Sequence, residues 1–133
     1  MKEETNYYEI ALRNFKTAKL LMFYADGDET LFKSVAYHLQ QTVELAIKHI
    51  LFTHGVDEIR TKTHNLVHLK KVADDNDIEL YLTDYLLERL DVITDWESKT
   101  RYVFGYYVAY ESMKQAIDEI DKYFLILKDV LTN

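Results

Sequence analysis

Apolar residues recur at intervals of three and four along almost the whole chain, which is the spacing of one face of an α-helix. The first segment with this pattern runs from Asn6 to about Tyr24, and Gly27 behind it suits a left-handed turn that ends a helix. A second helix is predicted from Asp28 or Thr30, either of which can cap it, to Gly55. Its apolar stripe comprises Val35, Ala36, Leu39, Val43, Ala46, Ile47, Ile50 and Leu51.

Two further helices are predicted after a loop at residues 56–63. Thr63 is predicted to cap a short helix that ends in the polar run at residues 74–77. The next helix is predicted from about Leu80 to Glu97, and segment 98–105 is either a loop or the entry to the helix that follows. The inward positions are Leu66, Leu69 and Val72 in the short helix and Leu82, Leu86, Leu90 and Ile93 in the longer one.

The last helix is predicted to continue from that segment to Leu131. Its apolar stripe comprises Ala109, Met113, Ala116, Ile117, Ile120, Phe124, Leu127 and Leu131. No stretch alternates apolar and polar residues as a half-buried strand does. Because amphipathic helices bury their stripes against one another, the pattern predicts an all-α fold. We expect an up-and-down four-helix bundle with an additional short helix across one end, in a single domain over residues 1–133.

The composition fits a globular domain and excludes several kinds of site. The chain has 133 residues, of which 48% are hydrophobic and 29% charged, with no proline and no cysteine. A disulfide framework and a thiolate metal site are therefore excluded. The three glycines lie too far apart for a glycine-rich phosphate loop. We find no secretory signal and no apolar run that could span a membrane, so we expect a cytoplasmic protein without a membrane partner.

Charge is unevenly distributed along this acidic chain. Its formal net charge is −7, which opposes a general affinity for duplex DNA. Segment 60–73, however, contains four basic residues and no acid. Such a patch is a candidate contact for a phosphate or a nucleotide. It is equally compatible with a solvated face that pairs with the acidic residues 74–79 or with a partner subunit. The basic residues are Arg60, Lys62, Lys70 and Lys71.

Three short motifs occur in a recognisable order. The first is Tyr37-His38-Leu39-Gln40-Gln41, followed by Glu44, Lys48 and Gly55; the second is Thr63-His64-Asn65-Leu66; the third is the pair Arg101-Tyr102. With these motifs the chain resembles the HEPN (higher eukaryotes and prokaryotes nucleotide-binding) family over about residues 8–128. The resemblance implies a helical bundle and frequent dimerisation. Many members are encoded beside a minimal nucleotidyltransferase, and toxin members are metal-independent ribonucleases.

The resemblance fails at the catalytic motif of those ribonucleases. They carry an arginine and, after four to six intervening residues, a histidine near the start of the last helix, and both face the dimer cleft. Here Arg101 is present, but no histidine follows His68, and Tyr106 and Tyr107 stand where it would be. A tyrosine ionises only near pH 10, so it is a poor general base at neutral pH.

Three functions remain open on this reasoning. The first is a dimeric module of a toxin–antitoxin type system that binds nucleotide or RNA, or partners a nucleotidyltransferase, without the usual catalytic histidine. The second is a ribonuclease toxin with a non-standard site at Arg101, Tyr106 and Tyr107. The third is a purely structural oligomerisation module. For the binding function, the candidate ligand-binding residues are Arg60, Lys62, His64, Lys70 and Lys71.

Two histidines also fit the spacing of metal ligands. His64 and His68 are four residues apart, so on a helix they would share a face. No cysteine or third histidine at a fixed spacing completes such a site, and the Thr-His motif already accounts for His64. No histidine follows a glutamate by three residues, which excludes the di-iron pattern of helical bundles. We therefore predict no metal and no cofactor.

Two further predictions concern polar and aromatic residues. Glu44 is expected to be buried and to pair with Arg101, whereas Glu97 fits a solvated face. Three tyrosines spaced by four residues would form a second stripe on the last helix. Because tyrosine is enriched at interfaces, this stripe predicts a homodimer interface. Its members are Tyr102, Tyr106 and Tyr110.

Overall fold

A computed structural model describes residues 6–25 and 27–131. Within those residues it contains no strand and confirms the predicted all-α fold. The six helices are α1 (Tyr7–Ala25), α2 (Glu29–Thr53), α3 (Leu66–Asp75), α4 (Asp84–Glu88), α5 (Leu90–Tyr102) and α6 (Tyr110–Leu131). A short 3₁₀ helix, Glu58–Thr61, lies between α2 and α3. No helix of the described residues is long and apolar enough to cross a bilayer.

Helix α2 is the centre of the bundle. It contacts α1, α5 and α6, and the short α3 packs against α2 and α5. All eight positions of its predicted apolar stripe are fully buried, so the three-and-four spacing located the core correctly. The longest helices, α1, α2, α5 and α6, form the bundle, and α4 is a single short turn before α5.

The ends of α2 are those that the sequence predicts. The Asp28 carboxylate accepts the N–H of Thr30 at 2.9 Å and caps the helix. Gly27 and Gly55 have φ values of +83° and +85°, a left-handed conformation in which a side chain would be strained. Asp26, which belongs to the same predicted turn, lies outside the described residues.

The cap of α3 is Asn65 rather than the predicted Thr63. The Asn65 side-chain oxygen accepts the N–H groups of Val67 and His68, at 2.9 and 3.2 Å. Thr63 lies two residues before Asn65, and its hydroxyl accepts the N–H of Asn65 at 3.0 Å. The prediction was wrong because two polar residues this close together compete for the role, and the asparagine side chain is the one that accepts the N–H groups of the first turn.

The predicted helix from Leu80 to Glu97 is wrong at its start and in its middle. Residues 80–83 are not helical, and the chain breaks again between α4 and α5. Tyr81 adopts φ +63°, and the Thr83 hydroxyl accepts the N–H of Leu86 at 3.3 Å, so α4 begins only after Thr83. A tertiary contact favours this arrangement, because the carbonyl of Leu80 accepts the buried hydroxyl of Tyr123 at 2.7 Å.

The connection before α6 corrects the predicted tyrosine stripe. From the sequence, segment 98–105 is either a loop or the entry to the last helix. In the structure, residues up to Tyr102 belong to α5, and a turn at Gly105, with φ +82°, follows. Tyr106 lies in this connection, and α6 begins only at Tyr110. The three tyrosines therefore belong to a helix end, a loop and a helix start. The four-residue spacing does not make them one face, because the chain reverses between them.

The buried hydroxyl of Tyr123 gives a test of this packing. Replacing Tyr123 by Phe leaves the Leu80 carbonyl without its donor, and we expect the free energy of unfolding to fall by about 1–2 kcal/mol. Urea unfolding followed by circular dichroism measures this change. The control is Tyr85→Phe, whose hydroxyl donates to Gln115 at the surface, with an expected loss below ~0.5 kcal/mol. Equal losses for both variants would contradict the assignment.

Candidate functional site

The most buried carboxylate among the described residues is that of Glu44, whose side chain is 3% exposed. One oxygen, Oε1, accepts Nε2 of Gln40 at 3.0 Å, Nε2 of Gln41 at 3.5 Å and Nδ1 of His64 at 2.9 Å. The other, Oε2, accepts Nζ of Lys48 at 2.8 Å. This buried charge is thus matched by one cation and three further polar contacts, which offsets the cost of removing it from water.

Helix α2 brings most of these groups together by its periodicity. Gln40, Glu44 and Lys48 are four residues apart and therefore share a face of the helix. Gln40 also donates through Nε2 to the backbone carbonyl of His64 at 3.0 Å. Both the ring and the backbone of His64 are thereby attached to α2. Within the described residues, every buried side-chain nitrogen and oxygen has a hydrogen-bond partner.

A second carboxylate, Glu97 of α5, reaches the same place. Its side chain is 10% exposed, and its Oε2 contacts Nη2 of Arg101 and lies 3.9 Å from Nε2 of His64. Nε of Arg101 also donates to the backbone carbonyl of Glu97 at 2.9 Å. The predicted pair of Arg101 with Glu44 is therefore wrong. Arg101 binds the acid one turn earlier in its own helix, and His64 lies between the two carboxylates.

These residues form one polar cluster, which we define as Glu44, Lys48, His64, Glu97 and Arg101. Its two carboxylates are buried, while the His64 side chain is 60% exposed and that of Arg101 is 40% exposed. The cluster thus has its two carboxylates within the bundle, and its imidazole and guanidinium are accessible to solvent. The sequence-based reasoning missed Glu97. Its four-residue spacing from Arg101 was the available signal.

Aromatic rings surround the guanidinium of Arg101. Its central carbon lies 4.9 Å from the ring centroids of both Tyr37 and Tyr102. Tyr102 is 74% exposed, and Phe104, two residues later, is fully exposed. Aromatic faces open to solvent therefore lie beside the exposed charge of the cluster.

The basic segment divides into two halves. Lys70 pairs with Asp74 at 2.5 Å and Lys71 with Asp75 at 3.2 Å. For these two lysines the structure therefore agrees with the second interpretation of the basic segment, in which it pairs with the acidic residues 74–79. Arg60 and Lys62 are exposed, and within the described residues neither makes an ion pair. Lys62 and the cluster residue Lys48 line the same shallow depression, of about 250 Å³, between α2 and the 3₁₀ helix.

Tyr106 and Tyr107 lie in different surroundings from Arg101. They line a small depression with Phe32 and Val108, and no hydrogen bond joins either phenol to the arginine within the described residues. Burial, and next the charge of Asp95, raises the pKa of Tyr106 above its usual range. A raised pKa lowers the fraction of phenolate at neutral pH, so less of Tyr106 than of an exposed tyrosine is available to act as a base.

A comparison with protein families decides the relationship of the chain. The model of the HEPN domain matches residues 5–130, nearly the full length. The chain belongs to the HEPN family. Neither the curated proteins nor the solved structures yielded a significant match. In this HEPN protein the three motifs noted in the sequence meet at the polar cluster, since one supplies Glu44 and Lys48, the second His64 and the third Arg101.

The described residues contain no group of side chains with the arrangement of a metal site. No three histidine, aspartate or glutamate side chains of the described residues gather in an arrangement that could hold a metal ion. His64 and His68 do not form the i, i+4 pair considered from the sequence, because His64 precedes α3 and its Nδ1 contacts Glu44.

Removing the charge of Glu44 tests the structural role of the cluster. The change Glu44→Gln keeps the shape of the side chain but leaves Lys48, which is 13% exposed, without its counter-charge. We expect the free energy of unfolding to fall by about 2–4 kcal/mol, measured by urea titration. Asp95→Asn is the matched control, because its partner Lys99 is at the surface, and its loss should stay below ~0.5 kcal/mol. A Glu44→Gln protein as stable as wild type would contradict the interpretation.

Proposed function

We propose that this HEPN protein is a nucleotide- or RNA-binding module that recognises phosphate through Arg101, assisted by His64. The observation that carries the proposal is the convergence of both side chains on the buried carboxylate of Glu97, with their outer surfaces open to solvent. Family membership supports a module of this general kind. The finer assignment rests on the chemistry of the cluster.

An arginine is well suited to binding phosphate. Its guanidinium presents several N–H donors in a fixed plane that matches two phosphate oxygens, and it stays charged at all physiological pH values. Glu97 and the rings of Tyr37 and Tyr102 fix its orientation, so little conformational entropy is lost on binding. The exposed charges of Arg60 and Lys62 lie in the segment that leads to His64 and add long-range attraction.

Exposed aromatic rings favour a ligand that carries bases. Tyr102 offers a ring face next to Arg101, and Phe104, two residues later, is fully exposed. Bases stack on such faces in proteins that bind single-stranded nucleic acid. The acidic remainder of the surface repels phosphate, which restricts binding to this region of the protein. A nucleotide or a short single-stranded RNA fits this combination better than a duplex.

The proposal includes a homodimer. Several large apolar side chains are exposed around the start of α6 and the end of α1, and Phe23 and Tyr110 line one groove there. Burying such residues against a second copy removes them from water. The exposed residues are Phe23, Tyr24, Phe104, Tyr107 and Tyr110. We also propose a protein partner, a minimal nucleotidyltransferase in a toxin–antitoxin type system. Many members of the family that the sequence resembles are encoded beside such an enzyme.

Binding of a short RNA tests the role of Arg101. We expect Arg101→Ala to weaken the affinity for ATP or a single-stranded oligoribonucleotide about 10- to 100-fold, because a charge-assisted hydrogen bond to phosphate is lost. Isothermal titration calorimetry measures this change. Lys99→Ala is the control: Lys99 is in the same helix but pairs with Asp95, and we expect its loss to weaken binding less than threefold.

The same titration distinguishes the two halves of the basic segment. The double change Arg60→Glu, Lys62→Glu should weaken binding, whereas Lys70→Glu, Lys71→Glu should have a small effect, because those lysines already pair with acids. No heat with either ligand would leave the structural module as the function. RNA cleavage that survives EDTA and disappears in Arg101→Ala would establish the ribonuclease alternative instead.

Light scattering tests the homodimer. We expect wild-type protein at micromolar concentration to have twice the 15.8 kDa mass of the chain. Phe104→Asp with Tyr107→Asp should give the monomer mass, because two charges would be buried without partners. The control is Leu125→Asp, since Leu125 is an equally exposed apolar residue on α6 that lines a different groove. A monomeric wild type, or dissociation by Leu125→Asp alone, would contradict the proposed interface.

A further inference from the structure

The position of His64 between two buried carboxylates has a chemical consequence. A carboxylate can only accept hydrogen bonds, so Nδ1 of His64, 2.9 Å from Oε1 of Glu44, carries a hydrogen. In the neutral ring, Nε2 then holds a lone pair. Another acceptor, Oε2 of Glu97, lies 3.9 Å from Nε2. Only a second proton on the ring turns this contact into an attraction.

Glu97 depends on Arg101 for its charge compensation. Its carboxylate is 10% exposed, and Arg101 is the cation that contacts it within the described residues. A phosphate that binds the exposed side of the guanidinium shares the positive charge of Arg101 with Glu97. A buried carboxylate that loses part of its partner is destabilised. A proton on Nε2 of His64 supplies the missing positive charge at the required position.

We infer that phosphate binding by this protein is coupled to uptake of a proton at Nε2 of His64, which then contacts Glu97 and frees Arg101 for the ligand. The inference rests on the proposed function and adds the regulation of that site. The proton comes from solvent, to which the 60% exposed imidazole has access, and no covalent bond of the ligand changes. Coupling of this kind is reciprocal, so acidification must strengthen phosphate binding.

The charged groups around His64 favour this response. Glu44 and Lys48 reach it from α2, and Glu97 and Arg101 from α5; these four charges sum to zero while His64 is neutral. A bound phosphate makes the site negative and therefore favours protonation of the ring. Histidine is the side chain that titrates between pH 5 and 8, and the effect belongs to that range.

The probe is an oligoribonucleotide with hydroxyl groups at both ends. Its phosphodiesters do not titrate near neutral pH, so any proton taken up belongs to the protein. Calorimetry at pH 7 in buffers of different ionisation enthalpy gives the number of protons bound with the RNA. We expect a fractional uptake of up to about one proton per site, and an affinity that rises by at most about tenfold per unit decrease in pH.

Three variants assign the proton. His64→Gln can still donate to Glu44 but cannot titrate in this range, so RNA binding through Arg101 should weaken but stay measurable while proton uptake and pH dependence disappear. His68→Gln, the control, removes an exposed histidine four residues away and should leave the uptake unchanged. Glu97→Gln removes the charge that the proton compensates, so the variant should bind RNA more tightly than wild type at pH 8 and take up less proton.

The outcomes separate this inference from the function on which it rests. Wild-type binding without proton uptake, or uptake that persists in His64→Gln, would overturn the inference and leave RNA binding intact. Absence of RNA binding at every pH from 5 to 8 would overturn the proposed function itself. Loss of uptake in His64→Gln together with its retention in His68→Gln is the result that supports the coupling.

Discussion

The need to match the buried charge of Glu44 organises much of this protein. A carboxylate this deep in a bundle requires a cation and hydrogen-bond donors, since its removal from water costs several kcal/mol. Lys48 and two glutamines of α2 supply part of this requirement, and His64 supplies the rest from another segment. The connection between α2 and α3 is therefore held in place by electrostatics as much as by apolar packing. Glu97 and Arg101 extend the same arrangement to α5.

The core of the bundle could be predicted from the sequence because it depends on periodicity alone. The stripe of α2 is regular, and every predicted position is buried. The helix at residues 80–97 could not be predicted in this way. Leu80 keeps its inward position, but Tyr81 adopts a left-handed conformation and the Leu80 carbonyl binds Tyr123, forty-three residues away. A local pattern contains no information about such a tertiary contact.

The candidate site was partly predictable for a similar reason. Glu44, Lys48, His64 and Arg101 belong to motifs that could be recognised in the chain, and the structure brings them together. Which acid binds Arg101 could not be read from those motifs, because it depends on the distance between α2 and α5. The tyrosines before α6 show the opposite error. Their regular spacing suggested one face, but a turn at Gly105 separates them.

The attachment of His64 to α2 also determines how many of these polar clusters an assembly of this protein has. Gln40 holds the backbone of His64 and Glu44 holds its ring, and every other member of the cluster comes from the same chain. Each chain therefore carries a complete cluster, and an association of two chains has a valence of two. For a ligand long enough to reach both clusters, the second contact would be intramolecular, and its strength would depend on the effective concentration set by the spacing between them.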